Sequence, residues 1–595
     1  MEQWKGALLA RAEGLVRNRM DLFDLEDLDL GEQIDWNYEY KAGKKAPMWH
    51  ATRIDYRSYG QTGDCKFVWE PNRHQHWVVL GRAYRLSGDD RFAATVRNQL
   101  DSWIEQCPYG RGMNWRSPLE LAIRLINWAW AWELIRPSEA IPRTEWPRLL
   151  GVARCHLREI ARKYSRYSSA NNHLVGEAAG SFIASSYFHA LKGASAWRRQ
   201  SRDILLREIF TQTHADGGNR EQAMGYHLFT LELFLLAGLT ARRLGEDFPP
   251  EYWERLEQMF AFLAGFMEDG GPPPMFGDSD DGYVLDLDDR RNRPAELLAV
   301  GAALFKRSDF KALVPGCGER VFWLLGSEGY ECYRRLPVSD DSTLRSRAFP
   351  DSGYYLLQSG QRSGSDAVSL SFDCGPLGFG PLAAHGHADL LSFTLKIGGV
   401  EVMVDPGTYD YFTYPRWRDY FRSTRAHNTV EIDHQNQAEM LGPFLWGRRA
   451  DGRCLLWKPE NDGGMVVGQS QGNTSSAEAV THRRTVVLRG ARKEISIQDD
   501  LSGQGTHTAA LHLHFAEHCN LRRISGHLFE VHVGGAEVQI EIDPRFTASL
   551  IRGGEEPIFG WVARGYHQKA PALTLCALAD WQHQATFHTM ITIGV

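Results

Sequence analysis

The chain has 595 residues, which is too long for one ordinary hydrophobic core and predicts two or three domains. An apolar share of 43% is typical of a soluble globular protein, and a formal net charge of −7 at pH 7 argues against a general nucleic-acid-binding surface. The nine cysteines are scattered and none lies in a C-x-x-C pair, which excludes a disulfide framework and a thiolate zinc knuckle.

The N-terminal stretch, residues 1–65, predicts an irregular wrap of short amphipathic and aromatic pieces. Its first residues lack the long apolar core of a signal peptide, and no apolar run approaches the ~20 residues that span a bilayer. We therefore expect no membrane insertion. As written, the chain predicts a cytoplasmic location, or a periplasmic or secreted one if a leader has been trimmed.

Residues 66–340 have the pattern of a helical domain. The stretch 119–128 is apolar on more than one face, as expected for an internal helix. Long helices with short connections favour antiparallel pairs, and their succession predicts an (α/α) toroid. The expected helices are 72–86, 91–105, 118–134, 144–164, 172–190, 196–214, 221–245, 250–268 and 294–305.

Residues 341–595 change to short β-rich runs separated by Gly, Asn and Asp, which predicts a large antiparallel β-sandwich. The boundary lies near 310–345, where glycine and proline loosen the chain. The fold class is therefore α+β and multidomain, with a helical toroid followed by a sandwich.

Histidines and an aspartate surround a predicted hairpin in the stretch 385–433. His385 and His387 precede one strand-like run, a Gly-Gly turn joins it to a second run ending at Asp405, and His427 follows. Two imidazoles and a carboxylate would suit zinc, manganese or iron. The alternative is a polar sheet edge that holds no ion.

Three places in the helical half also carry candidate functional residues, and each has a structural alternative. Asn172 and His173 follow Ser and Asn residues that would cap a helix. Tyr226 follows a Gly turn and is expected one helical turn after Gln222, although its ring would also suit a core. The third place includes Trp115, Arg116 and Arg124, where a capped helix with a Glu120–Arg124 pair is the alternative.

The chain resembles the heparinase II/III family of polysaccharide lyases. The motifs that carry the resemblance span most of the chain in the family order: 69–76, 83–84, 102–104, 114–124, 172–173, 221–227, 276–278, 385–389, 405–407 and 426–429. The resemblance implies a toroid, a β-sandwich and a site in the cleft between them. It also implies β-elimination on an acidic polysaccharide: a glycosaminoglycan such as heparan sulfate, hyaluronan or chondroitin sulfate, or alternatively alginate or another bacterial uronan. The oligomeric state is left open.

The resemblance also implies residue roles. Asn172 would neutralise the uronate carboxylate, while His173, Tyr226 and His385 would transfer protons or orient the substrate. A second family tyrosine matches residue 409, 411, 414 or 420, and we favour Tyr414. The expected substrate-binding residues are Arg73, Trp115, Arg116, Arg124, Arg220, Glu221 and Gln222. Of these, Arg116, Arg124 and Arg220 are expected to lower the pKa of Tyr226.

His387, Asp405 and His427 match the metal ligands of the family. The resemblance thus implies one divalent ion, zinc or manganese, in the β-domain. We expect this ion to organise the site rather than to activate water.

Three other functions fit parts of the sequence. A hydrolase on the same toroid would need two carboxylates, for which the candidates are Glu120, Glu177, Glu221 and Asp278. A non-catalytic polysaccharide-binding protein with a structural metal would not need Tyr226. A metal oxygenase would need iron at His387, Asp405 and His427. A lyase product absorbs ultraviolet light through its new double bond, which separates it from a hydrolase product.

Overall fold

The computed structural model describes residues 2–288, 292–316, 318–471 and 480–594. Helices dominate up to residue 335 and antiparallel strands dominate from residue 347, so the expected α+β multidomain class is confirmed. The α-helices are Glu2–Val16, Tyr59–Thr62, Cys65–Asn72, Gln75–Ser87, Asp90–Gln106, Pro118–Ile135, Trp146–Arg162, Asn172–Tyr187, Ala194–Thr211, Met224–Arg243, Pro250–Gly265, Arg293–Phe305, Ser308–Lys311, Glu319–Arg335 and Pro415–Phe421. Cys317 lies outside the described residues, and the other eight cysteines are free.

Close helix pairing builds the toroid. Helix Pro118–Ile135 packs on Gln75–Ser87 and on Asn172–Tyr187, and its apolar residues are almost all buried. Gly180 permits one of these contacts, because a Cβ there would lie 2.5 Å from the carbonyl oxygen of Ala122. The 20-residue helix Met224–Arg243 is long and apolar enough to cross a membrane, but 78% of its most apolar window is buried inside the fold. That burial is the pattern of an internal helix.

Two helix expectations were wrong in detail. The expected helix 72–86 begins at Gln75, and Asn72 instead ends a separate helix, Cys65–Asn72, because His74 has a left-handed backbone with φ 57°. The His74 ring stacks on Trp77 at 3.8 Å and accepts a hydrogen bond from the indole of Trp128 at 2.8 Å. The stretch 310–345 was expected to be loose but contains helix Glu319–Arg335, kinked at Gly326.

The sandwich consists of a ten-stranded and a five-stranded antiparallel sheet. The larger sheet comprises Val430–Ile432, Asp451–Glu460, Gly463–Gln471, Thr481–Arg489, Glu494–His514, Asn520–Arg523, Leu528–Val533, Ala536–Ile542, Thr547–Arg552 and Leu573–Gly594. The smaller comprises Arg347–Phe349, Tyr354–Ser359, Val368–Asp373, Phe393–Ile397 and Val400–Met403. Two-stranded ribbons pair Arg19–Leu22 with Leu25–Asp29, Tyr38–Glu39 with Lys44–Lys45, Ala438–Gly442 with Leu445–Arg449, Gly554–Glu555 with Ile558–Phe559, and Trp561–Gly565 with Gln568–Pro571.

One apolar core joins the two large sheets. Leu370 and Leu395 of the smaller sheet share it with Val486 and Ile591 of the larger sheet. The expected hairpin is present: Ile397 pairs with Val400, and the turn glycines 398 and 399 have φ of 58° and 77°. Positive φ at both turn residues matches the right-handed twist of the strands.

The N-terminal helix and the sandwich both pack against the toroid. Helix Glu2–Val16 packs against Gln75–Ser87 of the toroid. Lys396, a buried lysine of the smaller sheet, donates hydrogen bonds to the Phe266 carbonyl at 2.8 Å and to Asp269 Oδ1 at 2.8 Å. A buried charge is stable only when it is paired, so these bonds fix the sandwich against the toroid.

Candidate functional site

The predicted catalytic residues come from both sides of the domain interface. Asn172 begins helix Asn172–Tyr187, and Tyr226 lies in the first turn of Met224–Arg243. The loop carrying His385 joins them from the sandwich, since the His385 carbonyl accepts the Asp278 N–H at 2.9 Å. Gly277 lets the segment carrying Asp278 pass close to Gln222: its φ is 66°, and a Cβ would lie 2.3 Å from the Gln222 carbonyl oxygen.

Asn172 is oriented by Glu221. The Asn172 side-chain amide donates to Glu221 Oε2 at 2.9 Å, and its backbone N–H donates to Oε1 at 3.2 Å. Glu221 Oε2 also lies 3.7 Å from His385 Nε2. The neighbouring Asn171 caps the same helix by accepting the His173 N–H at 3.1 Å. Glu221 therefore positions Asn172 from beneath, although we expected it to bind substrate.

Tyr226 lies between a histidine and a second tyrosine. Its ring stacks on His385 with the centroids 3.8 Å apart, and its hydroxyl lies 3.1 Å from the hydroxyl of Tyr411. We favoured Tyr414, but that side chain is 39% exposed and stacks on Tyr409 at 5.8 Å. Tyr411 is therefore the tyrosine of this segment that meets Tyr226. Spacing could not distinguish them, because residues 409–414 form an irregular loop.

The protonation states of the site follow from burial and charge. Burial, and then the carboxylates of Asp280 and Asp278, raise the pKa of Tyr226 well above its usual value. This corrects the expectation that nearby arginines lower it. Burial, and then the charge of His385, lower the pKa of the half-buried His173 to about 4. At pH 7 Tyr226 is thus a proton donor, and His173 is a neutral imidazole that can accept a proton.

Asp278 links the catalytic histidine to the predicted metal ligands. Its Oδ2 lies 3.0 Å from His385 Nδ1, and its Oδ1 lies 3.0 Å from His387 Nε2. Arg418 binds both carboxylate oxygens, with Nη2 2.8 Å from Oδ2. Burial would raise the pKa of Asp278, but Arg418 and the two imidazoles hold it well below its usual range. Sequence reasoning missed this role, although Phe276-Gly-Asp278 was one of the family-like motifs.

The predicted metal ligands form one buried group, which we call the metal-type cluster: His387, Asp405 and His427. Their ligand atoms lie within 4.8 Å of one another. His427 Nδ1 bonds Asp405 Oδ2 at 2.9 Å, whereas His427 Nε2 and His387 Nδ1 are buried and have no hydrogen-bond partner among the described residues. Unpaired buried nitrogens are costly, so the donor set fits a cation bound by two imidazoles and a carboxylate.

A second group has the same residue types, and we call it the clamp cluster: Asp64, Asp410 and His567. His567 Nε2 lies 3.1 Å from Asp64 Oδ2 and 3.0 Å from Asp410 Oδ1, while its Nδ1 lies 2.9 Å from Lys41 Nζ. The carboxylates accept further bonds from Lys66 N, Thr413 N, Thr413 Oγ1, Tyr414 N and Tyr566 OH. Every carboxylate and ring nitrogen in this cluster therefore has a protein partner.

Several expected substrate-binding residues lie in the core instead. Arg73 pairs with Glu120 at 2.8 Å and with Glu70, so Glu120 does not pair with Arg124 as the capped-helix alternative supposed. Arg124 is fully buried and donates to the carbonyls of Asn72 and Asn114.

The other substrate-binding candidates of the helical half are two buried residues and two half-buried arginines. Trp115 is buried, with its indole N–H bonded to the Cys107 carbonyl at 3.0 Å. Gln222 precedes the Tyr226 helix rather than lying in it, has φ 54°, and donates to the Ser352 carbonyl at 3.2 Å. Arg116 and Arg220 are half-buried. These contacts assign Arg73, Arg124, Trp115 and Gln222 to the scaffold.

The carboxylates considered for a hydrolase are also occupied. Glu120 is bound by Arg73, and Glu177 accepts the backbone and hydroxyl donors of Ser165 at 2.7 Å. Glu221 holds Asn172, and Asp278 holds Arg418. Each of the four is therefore bound by a protein donor, and these contacts do not favour a pair of carboxylates flanking a glycosidic bond.

Both halves of the chain match one protein family. Residues 10–290 match the heparinase II/III N-terminus, and residues 341–576 match the heparinase II/III-like C-terminal region. The chain belongs to the heparinase II/III-like family. The expected resemblance is thereby confirmed, and the heparinase-like toroid and sandwich meet at the site described above.

Curated relatives of this heparinase-like chain are similar at moderate identity. The heparin-sulfate lyase of Bacteroides stercoris is 27% identical over 461 residues, which are 73% of this chain and 61% of the relative. The heparin-sulfate lyase of Pedobacter heparinus is 25% identical over 383 residues, which are 63% of this chain and 53% of the relative. The chain therefore spans less than two thirds of the length of these relatives.

Solved structures share the fold of this heparinase-like chain. A crystal structure of heparinase III has a TM-score of 0.75 at 18% identity, covering 99% of this chain and 85% of that chain. Heparan sulfate lyase HepC from Pedobacter heparinus has a TM-score of 0.61 at 21% identity, covering 99% and 83%. At these identities the similarity establishes the toroid and sandwich and leaves the chemistry to the residues.

Proposed function

We propose that this chain is a polysaccharide lyase that cleaves uronate-containing glycosaminoglycans of the heparan sulfate type by β-elimination. The observation that carries the proposal is the grouping of Asn172, His173, Tyr226 and His385 at the interface of toroid and sandwich, with Tyr226 stacked on His385. Family membership and the heparin-sulfate lyases among the relatives support the same substrate class.

The reaction needs three kinds of group, and the chain offers each. Removing the hydrogen at C5 of a uronate places negative charge beside the carboxylate, which an amide donor such as Asn172 stabilises. The neutral imidazole of His173 accepts the C5 proton. The electron pair of the C5–H bond forms the C4–C5 double bond as the C4–O4 bond breaks. O4 leaves with the electron pair of that bond and takes the proton of the Tyr226 hydroxyl.

The assignment of His173 as base and Tyr226 as acid predicts which uronate epimer is cleaved faster. Because the pKa of Tyr226 is raised, its hydroxyl begins the reaction protonated. A separate base and acid suit a linkage in which C5–H and O4 lie on opposite ring faces, as in iduronate. On glucuronate, where they lie on the same face, Tyr226 would first have to lose its proton.

A divalent ion, zinc or manganese, is proposed to be held by His387, Asp405 and His427. The two unpaired ring nitrogens support this assignment. The ion supplies a fixed positive charge next to the loops that carry His385 and Tyr411. Asp278 bonds Nε2 of His387, which leaves Nδ1 as the nitrogen that could bind an ion.

The experiment is a panel of purified heparan sulfate, dermatan sulfate, chondroitin sulfate, hyaluronan and alginate, with a neutral glucan as the control. Ultraviolet absorbance and new reducing ends are recorded together. We expect both signals to rise with heparan sulfate and neither with the glucan. New reducing ends without absorbance would indicate hydrolysis, and binding without either signal would indicate a polysaccharide-binding protein.

A further inference from the structure

A surface pocket outside the catalytic group has the composition of a carbohydrate subsite. It is lined by Trp49, His50, Thr52, Arg53 and Arg111, and we call it the Trp49 pocket. Trp49 is 52% exposed, which is unusual for the largest apolar side chain, and both arginines are exposed. No step of the proposed elimination uses any of these residues, so their exposure requires another explanation.

The pocket walls are held in place by backbone hydrogen bonds. The Ala51 N–H donates to the Gly110 carbonyl at 2.9 Å, and the Gly112 N–H donates to the Trp49 carbonyl at 2.9 Å. Arg111 Nε donates to the Met48 carbonyl at 3.0 Å, which leaves the remaining guanidinium N–H groups free to bind a ligand. A fixed backbone loses little conformational entropy on binding, so the backbone of the pocket is preorganised for a ligand.

The charge of the pocket is not neutralised internally. Neither Arg53 nor Arg111 forms an ion pair with any residue that the structure describes, in contrast to the buried Arg73. Two unpaired guanidinium groups beside an indole face therefore remain available to an anion in a protein of net charge −7.

A continuous row of contacts leads from this pocket to the catalytic group. Arg116 Nε donates to the Ile54 carbonyl at 3.0 Å, and its guanidinium lies 5.2 Å from the Tyr56 ring. Tyr56 meets Phe412 edge-on at 6.1 Å, and Phe412 adjoins Tyr411. Because Tyr411 contacts Tyr226, a chain of side-chain and backbone contacts links the pocket to the catalytic group.

We propose that the Trp49 pocket is a remote subsite that binds an anionic sugar of the polymer while a different sugar occupies the catalytic group. The indole packs on the apolar face of the sugar ring, and Arg53 and Arg111 bind its sulfate or carboxylate. The identity of the polymer rests on the proposed function. Neutral glycans lack the anion and bind only weakly.

The test measures equilibrium binding and therefore needs no turnover. Heparin is titrated calorimetrically into the Tyr226→Phe protein and into the same protein carrying Arg53→Ala with Arg111→Ala. We expect the double substitution to weaken heparin binding about tenfold and to reduce its salt dependence, and Trp49→Ala to weaken it several-fold. Neutral dextran serves as the uncharged probe.

A charge-matched control is Arg489→Ala with Arg492→Ala, two exposed arginines near the end of a sandwich strand. This control should keep its heparin affinity within about twofold. Equal losses in both double variants, or unchanged affinity when the pocket arginines are removed, would overturn the subsite. Melting temperatures close to the parent value exclude unfolding as the cause.

The experiments distinguish a failure of the lyase assignment from a failure of the Trp49 subsite. If no polymer yields an unsaturated product but the pocket variants still lose heparin affinity, only the lyase assignment falls. If heparan sulfate is cleaved and the pocket variants bind heparin as the parent does, only the subsite falls.

Discussion

Two buried clusters of aspartate and histidine hold opposite ends of one loop, residues 405–414, and they use their polar atoms differently. In the metal-type cluster, two ring nitrogens have no protein partner. In the clamp cluster, His567 is bonded on both ring nitrogens and both carboxylates are saturated. Both clusters combine aspartate and histidine at the same close spacing, with two histidines in one and two aspartates in the other. Their hydrogen bonds separate a candidate cation site from an internal ion pair.

The loop between these clusters places the hydroxyl of Tyr411 beside the hydroxyl of Tyr226. Asp405 anchors its beginning in the metal-type cluster, and Asp410 anchors its end by accepting the N–H groups of Thr413 and Tyr414. A site positioned from both ends tolerates little displacement, which matters because proton transfer requires hydrogen-bond distances. The comparison thus assigns both clusters a positioning role and predicts that only one of them holds an ion.

The largest expected effect is the loss of turnover on substitution of Tyr226, the residue contacted by the loop that both clusters hold. Tyr226→Phe removes one hydroxyl and keeps the ring that stacks on His385. We expect turnover to fall by at least about a hundredfold, because a positioned proton donor contributes roughly 10²–10⁴-fold. Initial rates of ultraviolet absorbance measure this. Heparin affinity and melting temperature should stay near the parent values, and a rate within a few-fold of the parent would remove Tyr226 from the mechanism.

A matched pair of substitutions tests the difference between the clusters directly. His427→Ala should abolish metal binding, because one imidazole and one carboxylate no longer hold the ion. His567→Ala should retain the ion but lower the free energy of unfolding by about 1–3 kcal/mol, since Asp64 and Asp410 lose a buried partner. Elemental analysis without chelators and denaturant unfolding measure the two outcomes. Loss of metal in both variants, or its absence from the parent protein, would contradict the distinction.

The smallest expected effect concerns Tyr411 and Tyr414, two of the three tyrosines of the loop. Tyr411→Phe removes the hydroxyl that lies 3.1 Å from Tyr226, and we expect a three- to tenfold loss of turnover, about the value of one hydrogen bond. Tyr414→Phe is the matched control, because its exposed ring lies away from Tyr226, and its rate should stay within about twofold. The reverse ranking would restore Tyr414 as the functional tyrosine.

The sequence predicted local features well because they depend on neighbours along the chain. Helical periodicity located the toroid, alternation located the strands, and the glycine pair at 398–399 located the hairpin. The polar stretch 500–508 has the composition of a loop, yet strand Glu494–His514 continues through it. Such a stretch can remain extended when a long partner strand pairs beside it, as Leu573–Gly594 does here.

Partners distant in sequence could not be predicted. Arg73 and Arg124 look like substrate ligands in a motif, yet Arg73 is bound by Glu120 and Arg124 donates to two backbone carbonyls in the core. Asp278 and Arg418 lie 140 positions apart and meet only after the domains dock. The family resemblance supplied the metal-type cluster and Tyr226, while the roles proposed for individual site residues remain predictions.

The Asp278–Arg418 pair also limits how this chain can be recombined with its relatives. The aspartate belongs to the toroid half and the arginine to the sandwich half, and each is buried. A chimera that took one half from a relative without its matching residue would leave a lone charge in the interface, at a cost of several kcal/mol. The boundary near residue 340 is therefore a convenient place to divide the sequence but a poor place to exchange domains.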